Sequence, residues 1–103
     1  MVVQIMIVED DLDLRDQYRT LIQGRNTLRL VAETDSVEEA IRTLQTMEID
    51  AMILDLELPG GSGILLLEEM KHLQIPRPFI AVVTNVVSKT AYQAIRVLGA
   101  DYI

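Results

Sequence analysis

Four short apolar runs, each followed by a stretch with helical spacing, constrain this chain more than any other feature. The runs are Val2–Val8 (VVQIMIV), Leu28–Ala32 (LRLVA), Ala51–Leu54 (AMIL) and Phe79–Val83 (FIAVV). They are too short for buried helices, rich in β-branched residues and nearly continuous, as strands covered on both faces are. After the first run, Leu14, Tyr18, Leu21 and Ile22 recur at helical spacing, and Gly24 marks a helix end. After the second, Ser36 and Glu39 form a capping-box pattern ahead of the apolar face Val37, Ala40, Ile41 and Leu44. Leu58 to Gly63 (LPGGSG) is expected to be irregular loop, because its proline and three glycines oppose regular structure. Ile64 to Leu73 is again helical in pattern, broken by Pro76 and Pro78. Ser88 to Leu98 predicts a fourth helix stopped at Gly99, and Asp101-Tyr102-Ile103 opens a fifth strand. Strand and helix alternating in this way predict a parallel sheet with helices on both faces.

A length of 103 residues predicts one domain, and a composition 50% hydrophobic and 24% charged predicts a globular one. The net charge of −7 and the scattered basic residues argue against direct nucleic-acid binding by this segment. The chain has no cysteine, so disulfides and thiolate metal sites are excluded. No apolar run approaches the ~20 residues of a membrane span. The N-terminus runs into acids without the basic start of a signal peptide, and a cytoplasmic location is expected.

In open parallel sheets, ligands sit beyond the carboxyl ends of the strands. Three of those ends carry polar residues here. The first has Glu9 and Asp10, with Asp11 following; the third has Asp55, with Glu57 two residues on; the fourth has Thr84 and Asn85. Acids at one strand end are common simply because they suit turns. Agreement of three ends in one topology favours a site instead. Neighbouring strands lie ~4.8 Å apart, so carboxylates on adjacent tips can share one ion. Such carboxylates repel one another, and a divalent cation relieves that repulsion. An all-oxygen ligand set favours Mg²⁺ or Ca²⁺ over zinc, and Mg²⁺ is usual beside a phosphoryl group. An aspartate can act as nucleophile and form an aspartyl-phosphate. Other candidates are weaker. His72 stands alone on a charged helix, and Gly60-Gly61-Ser62-Gly63 lacks the Gly-Lys-Ser/Thr ending of a phosphate-cradling P-loop.

Taken together, IMIVEDD at 5–11, MILDLELPGGSG at 52–63, IAVVTN at 80–85 and LGAD at 98–101 resemble the receiver domains of bacterial two-component response regulators. The resemblance spans nearly the whole chain. It implies a flavodoxin-like (CheY-like) doubly wound parallel sheet of five strands in the order 2-1-3-4-5, with residues 1–103 forming one receiver domain. It implies that Asp55 is the phosphoacceptor and that Asp10 binds Mg²⁺ directly, with Glu9 acting through water. Glu57 would add its backbone carbonyl to the metal. Thr84 would be the switch hydroxyl, with Asn85 beside it where a small residue is commoner. Pro59 and Gly63 would form the loop into the third helix, and Asp11 would belong to the start of the first.

The resemblance further implies a sensor histidine kinase as phosphoryl donor. The readout would be a C-terminal DNA-binding output module or a homodimer. The family's strand-five lysine would fall a few residues beyond Ile103, and the fifth helix beyond that. The 103 residues are therefore expected to be a C-terminally truncated receiver. Three other readings use the same residues: an aspartyl phosphatase built on Asp55-Leu56-Glu57, a receiver-like module that is never phosphorylated, and a flavin binder of similar fold.

Overall fold

The computed structural model describes residues 1–58, 61–83, 93, 96–97 and 99–101. In chain order these give β1 (Val3–Val8), α1 (Leu12–Gln23), β2 (Leu28–Thr34), α2 (Val37–Thr46), β3 (Ala51–Asp55), α3 (Gly63–Met70) and β4 (Phe79–Val83). The four strands form one parallel sheet in the order β2-β1-β3-β4. The chain steps from β1 outward to β2, then returns to the other side of β1 for β3. The direction of winding therefore reverses between β1 and β3, which opens a crevice at their carboxyl ends.

Strand periodicity sorts the core into two faces. Met6 pairs with Met52 and Met52 with Ile80, while Val8 pairs with Leu54 and Leu54 with Val82. All six are buried, packed with Ala40 and Leu44 of α2 and Leu66 and Leu67 of α3. The alternate residues Ile5 and Ile7, with Ala51 and Ile53, face α1 and meet Tyr18 and Ile22. On the β4 part of this face, Phe79 and Val83 are exposed. By the same alternation, Glu9 and Asp55 continue the α1-facing rows one step past the core.

Local sequence explains the helix ends. Asp11 caps α1, its carboxylate accepting the N–H groups of Asp13 and Leu14. Ser36 caps α2 by accepting the Glu39 N–H, but the capping box is only half made. The Glu39 carboxylate instead takes the buried Thr34 hydroxyl at 2.6 Å, and that hydroxyl accepts the Ser36 N–H. A bulge in β2 at the Ile5/Met6 register shift brings Glu33 opposite Ile7, on the side where Arg19 of α1 grips it.

The structure corrects three expectations. β2 runs on past Ala32 to Thr34. α3 ends at Met70 rather than Leu73, because the next three N–H groups tighten onto carbonyls three residues back. The 58–63 stretch is not wholly irregular: Glu57–Leu58 pairs antiparallel with Gly61–Ser62. Pro59 and Gly60, between these pairs in sequence, lie outside the described residues. Most of the expected fourth helix, and Tyr102 and Ile103 of the expected fifth strand, lie outside them too. Gly99, the expected helix stop, has φ of 113°, a conformation that favours glycine.

Candidate functional site

Glu9 follows the last buried residue of β1 and is itself only 2% exposed. Its backbone is held on both sides: its N–H donates to Thr34 O at 2.9 Å, and its carbonyl accepts from Arg15 Nε at 2.8 Å. Its carboxylate takes the Asp10 N–H at 3.0 Å. Asp55 ends β3, and its Oδ1 accepts the Glu57 N–H at 3.0 Å, which orients the carboxylate. Glu9, Asp10 and Asp55 each present a carboxylate oxygen, and these oxygens all lie within 4.8 Å of one another. They share a cleft of about 270 Å³ with Asp11 and Glu57, walled by Leu14 and Val83.

Burial pushes the Glu9 carboxyl up to about 8, helped by a hydrogen bond to Asp55 and by that group's charge. The N–H groups of Asp11 and Asp10 pull it partly back. In the absence of a cation, Glu9 thus keeps a proton near neutral pH and donates it toward Asp55. The same acids reach α1: the Tyr18 hydroxyl is raised first by burial, then by the charges of Glu9, Asp55 and Asp11.

The donor set suits a hard cation. It is all oxygen, anionic, open to solvent through Asp10 and too crowded with carboxylates to be comfortable without a counter-charge. Glu9, Asp10 and Asp55 are the side chains placed to hold one. Glu57 is exposed on the cleft rim. Asp11 lines the cleft as well, but its carboxylate caps α1.

Gly63 closes the back of the site. Its N–H donates to Leu56 O at 2.9 Å, and a Cβ added there would meet Asp55 O at 2.5 Å and Leu56 Cα at 2.8 Å. Only glycine lets α3 start this close to the strand end that carries Asp55. Pro59, Thr84 and Asn85 lie outside the described residues. His72 is exposed just past the end of α3, away from the cleft-lining residues. The sequence reading missed Arg15 and the electrostatic reach of Tyr18. A side chain gripping a backbone carbonyl leaves no periodic signal, and Tyr18 reads only as a core position of α1.

Comparison with known proteins agrees with this geometry. Residues 5–103 match the model of the response regulator receiver domain. The sensory transduction protein LytT of Bacillus cereus is 28% identical over 100 residues, covering 97% of this chain and 40% of the relative. The transcriptional regulatory protein BtsR of Salmonella typhimurium is 31% identical over 84 residues, covering 80% of this chain and 34% of the relative. The chain therefore spans well under half the length of these relatives. A two-component response regulator of the LuxR family from Aurantimonas sp. SI85-9A1 superposes with a TM-score of 0.88 at 27% identity, covering 99% of this chain and 72% of that one. With the family's model matched from the first buried strand onward and its fold reproduced, this chain belongs to the response regulator receiver domain family.

Proposed function

We propose that this signalling domain accepts a phosphoryl group on Asp55 in a Mg²⁺-dependent reaction. The observation that carries this reading is the convergence of the Glu9, Asp10 and Asp55 carboxylate oxygens within 4.8 Å at the β1/β3 crevice. A carboxylate oxygen of Asp55 attacks phosphorus, the new O–P bond forms, and the bond from phosphorus to the donor's leaving group breaks. Glu57 N–H holds the Asp55 carboxylate in orientation during the attack. Asp10 and Asp55 would hold the cation directly, Glu9 through water, and Glu57 would add its backbone carbonyl. When bound, Mg²⁺ offsets charge on the carboxylates and on the transferring phosphoryl group.

Thr84 is assigned the switch hydroxyl, with Asn85 beside it, and Pro59 and Gly63 the loop into α3. The family resemblance supports these roles, and for Gly63 so does the close approach to Asp55 O. Residues 1–103 are assigned to one receiver domain, working in the cytoplasm. The donor is a sensor histidine kinase, and the phosphorylated surface governs a C-terminal DNA-binding module or a homodimer. The transcriptional-regulator name of the Salmonella relative and the LuxR-family assignment of the structural neighbour support a DNA-binding output. Among the described residues, no helix is long and apolar enough to cross a membrane.

Intact-mass measurement after incubation with acetyl phosphate and Mg²⁺ tests the reading. One phosphoryl adduct is expected, absent in Asp55→Asn and absent with excess EDTA. An adduct that survives Asp55→Asn, or none at all on the folded protein, overturns it.

A further inference from the structure

We propose that Arg15 is a positioning residue for the cation and phosphoryl site, acting through the backbone of Glu9. The inference rests on the function proposed above. Pairing between β1 and β3 ends at Val8 with Leu54, at the crevice. The next carbonyl of β1, that of Glu9, needs another donor, since a backbone carbonyl withdrawn from water is costly unpaired. Arg15 supplies it from α1 through Nε at 2.8 Å. On the opposite side, β2 holds the Glu9 N–H through Thr34 O. The peptides flanking Glu9 are thereby fixed from both sides while the crevice stays open.

Arg15 grips this loop twice. Its own N–H makes a helical bond of α1 to Asp11 O at 3.0 Å, while its side chain reaches back to Glu9. The Glu9-Asp10-Asp11 turn is thus tied at both ends to one residue. Asp10, between the ties, is left to project its carboxylate toward Asp55. Arginine suits the task because its Nε–H points sideways from a planar, rigid head that stays charged.

Two effects of the guanidinium oppose each other. Its charge repels a cation, whereas its hydrogen bond holds the carboxylates that bind one. A cation held by the Glu9, Asp10 and Asp55 carboxylates would sit in a solvent-open cleft, where repulsion is screened. The positioning effect therefore dominates, and removing the guanidinium weakens Mg²⁺ binding.

Calorimetric Mg²⁺ titration of the wild type, Arg15→Met and Arg15→Lys decides the matter, with folding checked by circular dichroism. Arg15→Met, which keeps the stem and loses the donor, is expected to bind Mg²⁺ about tenfold more weakly. Arg15→Lys, which keeps the charge but not the fork, is expected to fall between. Half-maximal phosphorylation by acetyl phosphate should need correspondingly more Mg²⁺ in Arg15→Met, with the wild-type rate regained at saturation. A purely structural role would lower the saturated rate instead. Mg²⁺ affinity in Arg15→Met equal to or tighter than wild type overturns the inference while leaving the proposed function intact. Should Arg15→Met fail to fold, Arg15→Lys decides: threefold or greater weakening supports the inference, and unchanged affinity overturns it. A wild type that binds no Mg²⁺ sinks both this inference and the function beneath it.

Discussion

Replacing Gly63 by alanine adds one methyl group at the joint between β3 and α3, and its effect can be worked from distances. The new Cβ would stand 2.5 Å from Asp55 O, 2.8 Å from Leu56 Cα and 3.2 Å from Asp55 C. All three are backbone atoms, so no side chain can swing aside. Carbon–carbon contacts are comfortable near 3.5–4.0 Å, so the strand end or the helix start must retreat by roughly 1 Å. The Gly63 N–H to Leu56 O bond at 2.9 Å resists that retreat. Overpacking of this kind costs about 1–3 kcal/mol, and the better helix propensity of alanine returns up to about 1 kcal/mol. The middle of these ranges gives a net loss of about 1.5 kcal/mol, read as a lower urea midpoint at unchanged slope. Gly24→Ala is the control: its Cβ would meet only carbonyl oxygens at 3.6 Å, with φ at −73°, so it should be neutral or mildly stabilising. Because the displaced carbonyl belongs to Asp55, Gly63→Ala should also slow acetyl-phosphate labelling under conditions where it is fully folded. Equal urea midpoints for Gly63→Ala and wild type, with Gly24→Ala behaving as stated, would refute the close approach of α3 to the end of β3.

Other perturbations probe the rest of the molecule. Leu54→Ala, at a fully buried site in the centre of the sheet, should cost about 2–5 kcal/mol by chemical denaturation. Arg19 holds Glu33 with two hydrogen bonds of 2.8 and 3.0 Å and lowers its carboxyl below 4.5. A depressed folded value means the pair stabilises above the unfolded value and fades as pH falls through the folded one. Glu33→Gln should therefore lower Tm at pH 7 by an amount worth about 0.5–1 kcal/mol, the pair being partly exposed, and the difference should shrink in acid. Glu9 runs the other way. Its value is raised from 4.5 to about 8, so in EDTA its contribution is fully present below 4.5 and is lost as pH rises through 8. Added Mg²⁺ should restore stability at the alkaline end and release protons below pH 8, and Glu9→Gln should remove most of that proton release in calorimetry across buffers.

The sheet was legible because its signal is repetitive. Ile5, Ile7, Met52, Leu54, Ile80 and Val82 sit in short runs that only a strand covered on both faces explains, and each is buried as such runs require. Alternation of strand and helix then dictated parallel pairing, and the strand ends placed Glu9, Asp10 and Asp55 in one crevice. What escaped was chemistry with no period. Glu39 satisfies Thr34 rather than completing its capping box, because the buried Thr34 hydroxyl needs an acceptor while the Ser36 N–H is already taken by Thr34 Oγ1. Leu58 and Ser62 enter a short ladder, because glycine and serine weaken extended pairing without forbidding it.

The placement of Glu9 shows how the fold and the site are opposed. A carboxylate 2% exposed at the end of a core strand is costly to ionise, and the charge of Asp55 raises that cost. Backbone N–H groups of Asp10 and Asp11 offset only part of it. The remainder can be removed by a proton or by a cation, and each excludes the other. A proton neutralises Glu9 but leaves Asp55 as a hydrogen-bond acceptor tied to it. A cation held there would release Asp55 from that bond. Under the proposed function, metal binding and readiness for phosphoryl transfer would follow from the same displaced proton, and the core strand that buries Glu9 would set how tightly the two are linked.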